Sequence, residues 1–114
     1  MIAKTLVAAS TRPLVMTILR SGENYGYQII QSVRRFSGGQ LDWSEPMLYP
    51  LLKRMERDGL VKSSWKMTDN KRPRKYYRLT EKGLRQQSLE EEQWFMISGL
   101  FKKLLDTNPL PELP

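Results

Sequence analysis

The chain has 114 residues, with 19 Lys or Arg against 12 Asp or Glu, a net charge of +7, and neither Cys nor His. At that length one domain is the default, and it buries roughly 65% of the surface that its unfolded form exposes. Without thiols there is no disulfide framework, zinc finger or iron–sulfur site, and without imidazole there is no Ser-His-Asp or Cys-His catalysis. The carboxylates, Lys, Tyr and Ser/Thr show no catalytic spacing, so the expectation is a non-enzyme with no cofactor and no metal.

The charge is unevenly placed. Residues 62–78 hold seven basic side chains (Lys62, Lys66, Lys71, Arg72, Arg74, Lys75, Arg78) and one acid, Asp69, while the remainder is nearly neutral. A concentrated basic segment on a near-neutral body is a footprint for a polyanion; the plainer alternative is a solvated loop. The apolar run Leu6-Val7-Ala8-Ala9 is broken by Arg12 and Pro13, too short for a signal-peptide core. No stretch approaches the roughly 20 apolar residues of a membrane span, so no membrane partner is expected.

In chain order, a first helix is predicted most strongly over Thr11–Arg20, with Thr11 as N-cap, Pro13 early, Leu14, Ile18 and Leu19 on one face, and Ser21-Gly22 as the stop. Residues 3–10 either extend it backwards, with Pro13 as a kink, or stay outside it. A second helix follows from about Tyr25 to Phe36, capped by Asn24, its face formed by Tyr25, Ile29, Val33 and Phe36 and its end set by Gly38-Gly39. A third runs from Ser44, the N-cap, to about Asp58, before Gly59. Leu48, Leu51, Leu52 and Met55 make its apolar face, and Glu45, Tyr49, Lys53 and Glu56 lie opposite.

After Gly59 the period changes from 3.6 to 2. Val61, Ser63, Trp65 and Met67 alternate with polar residues, Thr68–Pro73 reads as a turn, and Lys75, Tyr77 and Leu79 resume the alternation. The basic segment is therefore a hairpin, densest at its tip. Trp65 is expected to pack this hairpin on the helices, and at least one of Tyr76 and Tyr77 to pack as well. Thr80 caps a long helix to about Asp106, with an apolar band wider than one small domain needs. Within the band, Leu89, Met96, Ile97, Leu100, Phe101 and Leu104 are candidate dimer-interface residues, and Gly99 suits a close helix–helix approach. Three prolines in the last seven residues make the tail irregular.

Three short helices, a two-stranded cationic wing and a long helix describe a mainly α fold with a small β-hairpin: a winged helix-turn-helix at 1–80, a dimerisation helix at 81–106 and a Pro-rich tail at 107–114. The major groove of B-DNA admits one helix, and a basic hairpin beside it reaches phosphates or the minor groove.

The string Leu48-Tyr49-Pro50-Leu51-Leu52-Lys53-Arg54-Met55-Glu56-Arg57-Asp58-Gly59-Leu60-Val61, then Trp65, then Arg74-Lys75-Tyr76-Tyr77-Arg78-Leu79-Thr80-Glu81-Lys82-Gly83, with Gly26-Tyr27 upstream, resembles the PadR family of bacterial transcriptional regulators. The resemblance spans nearly the whole chain, and its short C-terminus looks like the family's small branch. It implies a homodimeric repressor of the bacterial cytoplasm that binds a double-stranded DNA operator. By analogy the groove-facing positions are Ser44, Glu45, Pro46, Met47, Tyr49 and Lys53, with Arg72, Arg74 and Lys75 on the wing. Tyr49 is alternatively a partly exposed helix aromatic. Pro46-Met47 departs from the small, hydroxylated pair common in the family, which removes a hydroxyl and leaves Met47 an apolar contact only.

Trp94 has two readings. It packs the dimer or core, or, as the resemblance implies for some small-branch members, it stacks on a small planar aromatic ligand at the dimer interface, with Leu6, Pro13 and Thr17 lining the same space. The rival to DNA binding is a winged-helix protein-interaction module; it has no need of the cluster at Lys71–Lys75.

Overall fold

The computed structural model describes residues 1–107. The element order is α1 (Lys4–Arg20), β1 (Asn24–Tyr25), α2 (Gly26–Phe36), α3 (Glu45–Arg57), β2 (Val61–Met67), β3 (Pro73–Leu79) and α4 (Glu81–Thr107). The mainly α architecture with a small antiparallel sheet is the winged helix that the periodicity predicts. Of the tail expected at 107–114, Thr107 is still helical, and residues 108–114 lie outside the described residues.

The core is drawn from all three short helices and the sheet. Val15, Met16 and Leu19 of α1 meet Ile29, Ile30 and Val33 of α2 and Leu48, Leu52 and Met55 of α3, closed by Trp43, Leu60, Val61 and Tyr77. These are the spacings of 3 and 4 along each helix that place apolar side chains on one face. Trp43, in the loop before α3, is a core residue that no periodicity marks, and its indole N–H finds no hydrogen-bond partner among the described residues.

Two helix starts differ from expectation. α1 begins at Lys4, so residues 4–10 do extend it, and Pro13 sits mid-helix, where it denies the Ala9 carbonyl its usual donor. Thr11 is therefore no cap. It is buried inside the helix, and its hydroxyl donates to the Val7 carbonyl at 2.6 Å, the back-bond a mid-helix Thr makes when it cannot reach water. Asn24 does not cap α2 either. Asn24 and Tyr25 form β1, paired antiparallel with Tyr77 and Tyr76, so the sheet has three strands in the order β1-β3-β2.

The helix ends follow the glycines. Gly38 and Gly39 adopt φ of +61° and +83°, and the Gly39 N–H donates to the Arg34 carbonyl at 2.8 Å. Gly59, at φ +77°, turns the chain into β2 in the same way, with the Leu60 N–H on the Met55 carbonyl at 2.9 Å. Thr80 does cap α4: its hydroxyl accepts from the Gly83 N–H at 3.0 Å and donates to the Gly59 carbonyl at 2.6 Å. From Glu91 onward every residue of α4 is exposed, so the helix projects as an arm. The molecule measures 64 × 29 × 21 Å, and its radius of gyration of 17.3 Å exceeds the roughly 13 Å of a compact chain this long.

Candidate nucleic-acid interface

α3 presents its outer face beside the hairpin. Ser44 sits at the N-cap position in an extended conformation, yet its hydroxyl makes no capping bond. Pro46 offers no N–H, and the Met47 and Leu48 N–H groups go to the Ser44 carbonyl, at 3.2 and 3.0 Å. Ser44, Glu45, Pro46 and Lys53 are exposed, whereas Met47 is half-buried and packs against the core.

Tyr49 is positioned by an absence. A Cβ on Gly26, at the start of α2, would stand 2.7 Å from the Tyr49 hydroxyl and 2.8 Å from its ring, so the ring lies where only glycine leaves room. Burial raises the Tyr49 pKa above its ordinary 10.0, Glu45 pushes the same way, and Arg74 opposes them. Tyr77 is raised too, by burial, then Glu56, then Tyr49. At neutral pH both phenols are donors.

The hairpin is fastened to α3 at its base. The Glu56 carboxylate accepts from the Ser63 N–H at 3.1 Å and from the Ser63 hydroxyl at 2.6 Å, so this acid, on the outer face by helical spacing, is spent on structure. Register pairs Val61 with Leu79, Trp65 with Lys75 and Met67 with Pro73. Aromatic rings then hold the cations. The Arg74 guanidinium lies 4.4 Å from the Tyr25 ring centroid, the Lys75 ammonium 5.8 Å from Tyr77, and the Lys66 ammonium 5.5 Å from Tyr76. Lys66 also pairs with Glu23, and Tyr25 meets Tyr76 edge-on at 5.2 Å. Arg72 is exposed at the turn, where Lys71 adopts φ +57° and the Thr68 hydroxyl donates to the Arg72 carbonyl at 2.9 Å. Between α3 and the hairpin runs a cleft of about 590 Å³, with Tyr49 and Lys53 on one side and Arg74 and Lys75 on the other.

Two sequence expectations need correction here. Trp65 does not pack the hairpin on the helices: it is 67% exposed, because β2 runs beyond the edge of the body before reaching it. Tyr77 does the packing, at 4% exposure, while Tyr76 is half-buried over Tyr25. Leu6 does not join the space around Trp94. Pro13, Thr17 and Trp94 do come together, with Leu14 and Phe95, around a cleft of about 280 Å³ between α1 and α4, but Leu6 lies outside its lining.

The seam between α1 and α4 is polar. Arg12 pairs with Glu90 at 3.1 Å, Arg20 donates to Gln87 at 2.6 Å and Ser88 at 3.2 Å, and Gln87, 1% exposed, donates to the Thr17 hydroxyl at 3.1 Å. The proposed interface residues Leu89, Met96, Ile97, Leu100, Phe101 and Leu104 are all exposed in the single chain, between 48% and 68%. Sequence reasoning missed the space over Gly26, the Glu56 tie and β1. Only the Gly26-Tyr27 pair hinted at the first; β1 depends on residues far apart in the chain, and the Glu56 tie on the turn at Gly59 that brings Ser63 back beside α3.

The sequence profile of the transcriptional regulator PadR-like family matches residues 15–90. Among solved structures, the chain is 36% identical to a PadR family transcriptional regulator from Eggerthella lenta DSM 2243, covering 91% of this chain and 88% of that one at a TM-score of 0.75. It is 28% identical to a PadR-like transcriptional regulator from Bacillus cereus strain ATCC 14579, covering 90% and 97% at a TM-score of 0.79. A transcriptional regulator from Clostridium thermocellum, 24% identical over 92% and 99%, shares the fold with a TM-score of 0.80. Among the described residues no helix is long and apolar enough to cross a membrane. With the winged fold, the basic hairpin and a profile match over most of its length, the chain belongs to the PadR-like family of DNA-binding transcriptional regulators.

Proposed function

We propose that the chain is a homodimeric repressor that grips a double-stranded operator through residues 1–80 and pairs through the helix that begins at residue 81. α3 enters the major groove, with Ser44, Glu45, Pro46, Tyr49 and Lys53 toward the bases or the adjoining phosphates, and Met47 contributing only its exposed flank. Arg72, Arg74 and Lys75 of the hairpin neutralise phosphates on the strand beside it. The observation that carries the reading is the shared cleft between α3 and the hairpin, with Lys53, Arg74 and Lys75 on its walls and Glu56 already bound to Ser63. A cation held by a ring on its own scaffold loses less freedom on meeting a phosphate than a free side chain does. The exposed apolar residues of α4 support the dimer, since a projecting helix with so wide an apolar surface is covered most simply by a twofold copy of itself. A small planar aromatic ligand stacked on Trp94, in the cleft with Pro13 and Thr17, relieves repression by altering how α4 meets α1.

The test is a salt titration of binding to the protein's own promoter region. Neutralising Arg72, Arg74 and Lys75 together weakens binding to all duplexes alike and flattens the salt dependence by about 0.9 for each phosphate left without its cation. Tyr49→Phe and Lys53→Ala alter sequence preference instead. Unchanged affinity and slope in the triple variant would leave a protein-interaction module as the better reading.

A further inference from the structure

The side of β2 that packs on the body does not end where the body ends. Val61, Ser63, Trp65 and Met67 share one side of the strand by alternation. Val61 is 1% exposed, Ser63 is tied to Glu56, and then Trp65 and Met67 stand 67% and 69% exposed. Trp65 is registered opposite Lys75 and lines the same cleft as Tyr49 and Lys53. An indole left in water on a short hairpin forfeits much of the stabilisation that its burial brings. The cations beside it in that cleft are Lys53, Arg74 and Lys75, and the one acid, Glu56, is already bound to Ser63, so whatever covers it offers anionic groups beside apolar faces. A protein surface rarely does so over a few ångströms; a DNA strand does at every nucleotide, where a sugar adjoins a phosphate.

We propose that Trp65 is a DNA-contact residue: its ring lies on a deoxyribose of the strand that passes between α3 and the hairpin, and its Nε1–H donates to a phosphate oxygen of that strand. The indole is a donor only, which suits phosphate and not base acceptor patterns in particular, so the contact adds affinity without choosing sequence. The assignment rests on the DNA-binding reading above.

The experiment uses the full chain, Trp65→Ala and Trp65→Phe, with one duplex from its own promoter region and one unrelated duplex, followed by fluorescence anisotropy across a salt series. Trp65→Ala is expected to lose ten- to a hundredfold on both duplexes with the salt slope unchanged, because no cation is removed. Trp65→Phe keeps the apolar contact and loses less. The Trp65 share of the tryptophan emission, taken as parent minus Trp65→Phe, becomes shielded from acrylamide when DNA saturates the protein. Affinity of Trp65→Ala within twofold of the parent overturns the proposal, as does an unshielded Trp65 or a slope that flattens with the substitution, which assigns the loss to displaced cations. If the parent binds neither duplex, the DNA-binding reading itself falls and this one with it.

Discussion

Gly83→Ala perturbs the joint between the sheet and α4 in a way the structure quantifies. A Cβ at this position would stand 2.0 Å from the Leu60 carbonyl oxygen, 3.1 Å from its carbon and 2.9 Å from the Leu79 Cδ2. Ordinary carbon–oxygen contacts lie at about 3.3 Å, so the first turn of α4 has to back away by over ~1 Å. Three bonds cross or frame that gap: the Thr80 N–H to the Leu60 carbonyl at 3.0 Å, the Thr80 hydroxyl to the Gly59 carbonyl at 2.6 Å, and the Gly83 N–H to the Thr80 hydroxyl at 3.0 Å. Overpacking costs about 1–3 kcal/mol. One or two weakened hydrogen bonds add about 1 kcal/mol each. Alanine's better helix propensity returns about 1 kcal/mol. The net loss is then about 1–4 kcal/mol, which at roughly 4 °C per kcal/mol for a chain of this length lowers the melting temperature by about 4–16 °C. Circular dichroism at 222 nm, at one fixed protein concentration, measures it. A fall of less than about 3 °C would refute the reasoning, because the Leu60 backbone would then give way freely and the joint would not be rigid.

Gly26→Ala differs in kind, since its Cβ meets the far end of the Tyr49 side chain, which can swing aside. Stability should drop by about 1 kcal/mol in urea, at the low end of the overpacking range, while promoter affinity falls severalfold in anisotropy as the displaced ring disturbs the α3 face. Tyr49 and Tyr77 hold their protons above the ordinary 10.0 when folded, so their contribution is intact below pH 10 and is lost as pH climbs above it. Urea midpoints at pH 9 and pH 10.5 should show that loss, reduced in Tyr77→Phe. Light scattering at micromolar concentration should give about twice the 13.4 kDa chain mass, and Leu100→Glu should return the monomer. A planar cationic dye should quench tryptophan emission in the parent and lose most of that effect in Trp94→Ala; emission indifferent to a panel of such dyes would remove the ligand reading.

What was legible in the sequence was local. Gly38-Gly39, Gly59 and Thr80 mark boundaries because a left-handed φ or a capping hydroxyl acts within a few residues, and the change of period after Gly59 marks the hairpin for the same reason. The candidate interface was legible as charge, since Arg74 and Lys75 fall on the hairpin wherever it lies. Its arrangement was not. Tyr25 reads as helix by spacing, but Tyr76, far along the chain, recruits it into β1, and the resulting strand carries the ring that holds Arg74. Trp65 reads as packing because alternation reports which side of a strand a residue occupies and never where the body beneath that side stops. Thr11 shows the limit from the other direction: as a good N-cap residue ahead of a proline it imitates a helix start, and only packing reveals that the helix began at Lys4.

The polar seam between α1 and α4 bears on geometry at a distance. Greasy contacts tolerate sliding, but the hydrogen bonds that join Arg12, Thr17 and Arg20 with Gln87, Ser88 and Glu90 are directional, so they set an angle as well as a distance. From Gln87 to Thr107 the helix is a lever of roughly 30 Å at 1.5 Å per residue. A tilt of about 10° at the fulcrum carries its far end about 5 Å, more than the roughly 3.4 Å between stacked base pairs. The aim of the whole arm therefore rests on a handful of exchangeable polar contacts, beside a cleft where a wedge a few ångströms thick has leverage over all of it.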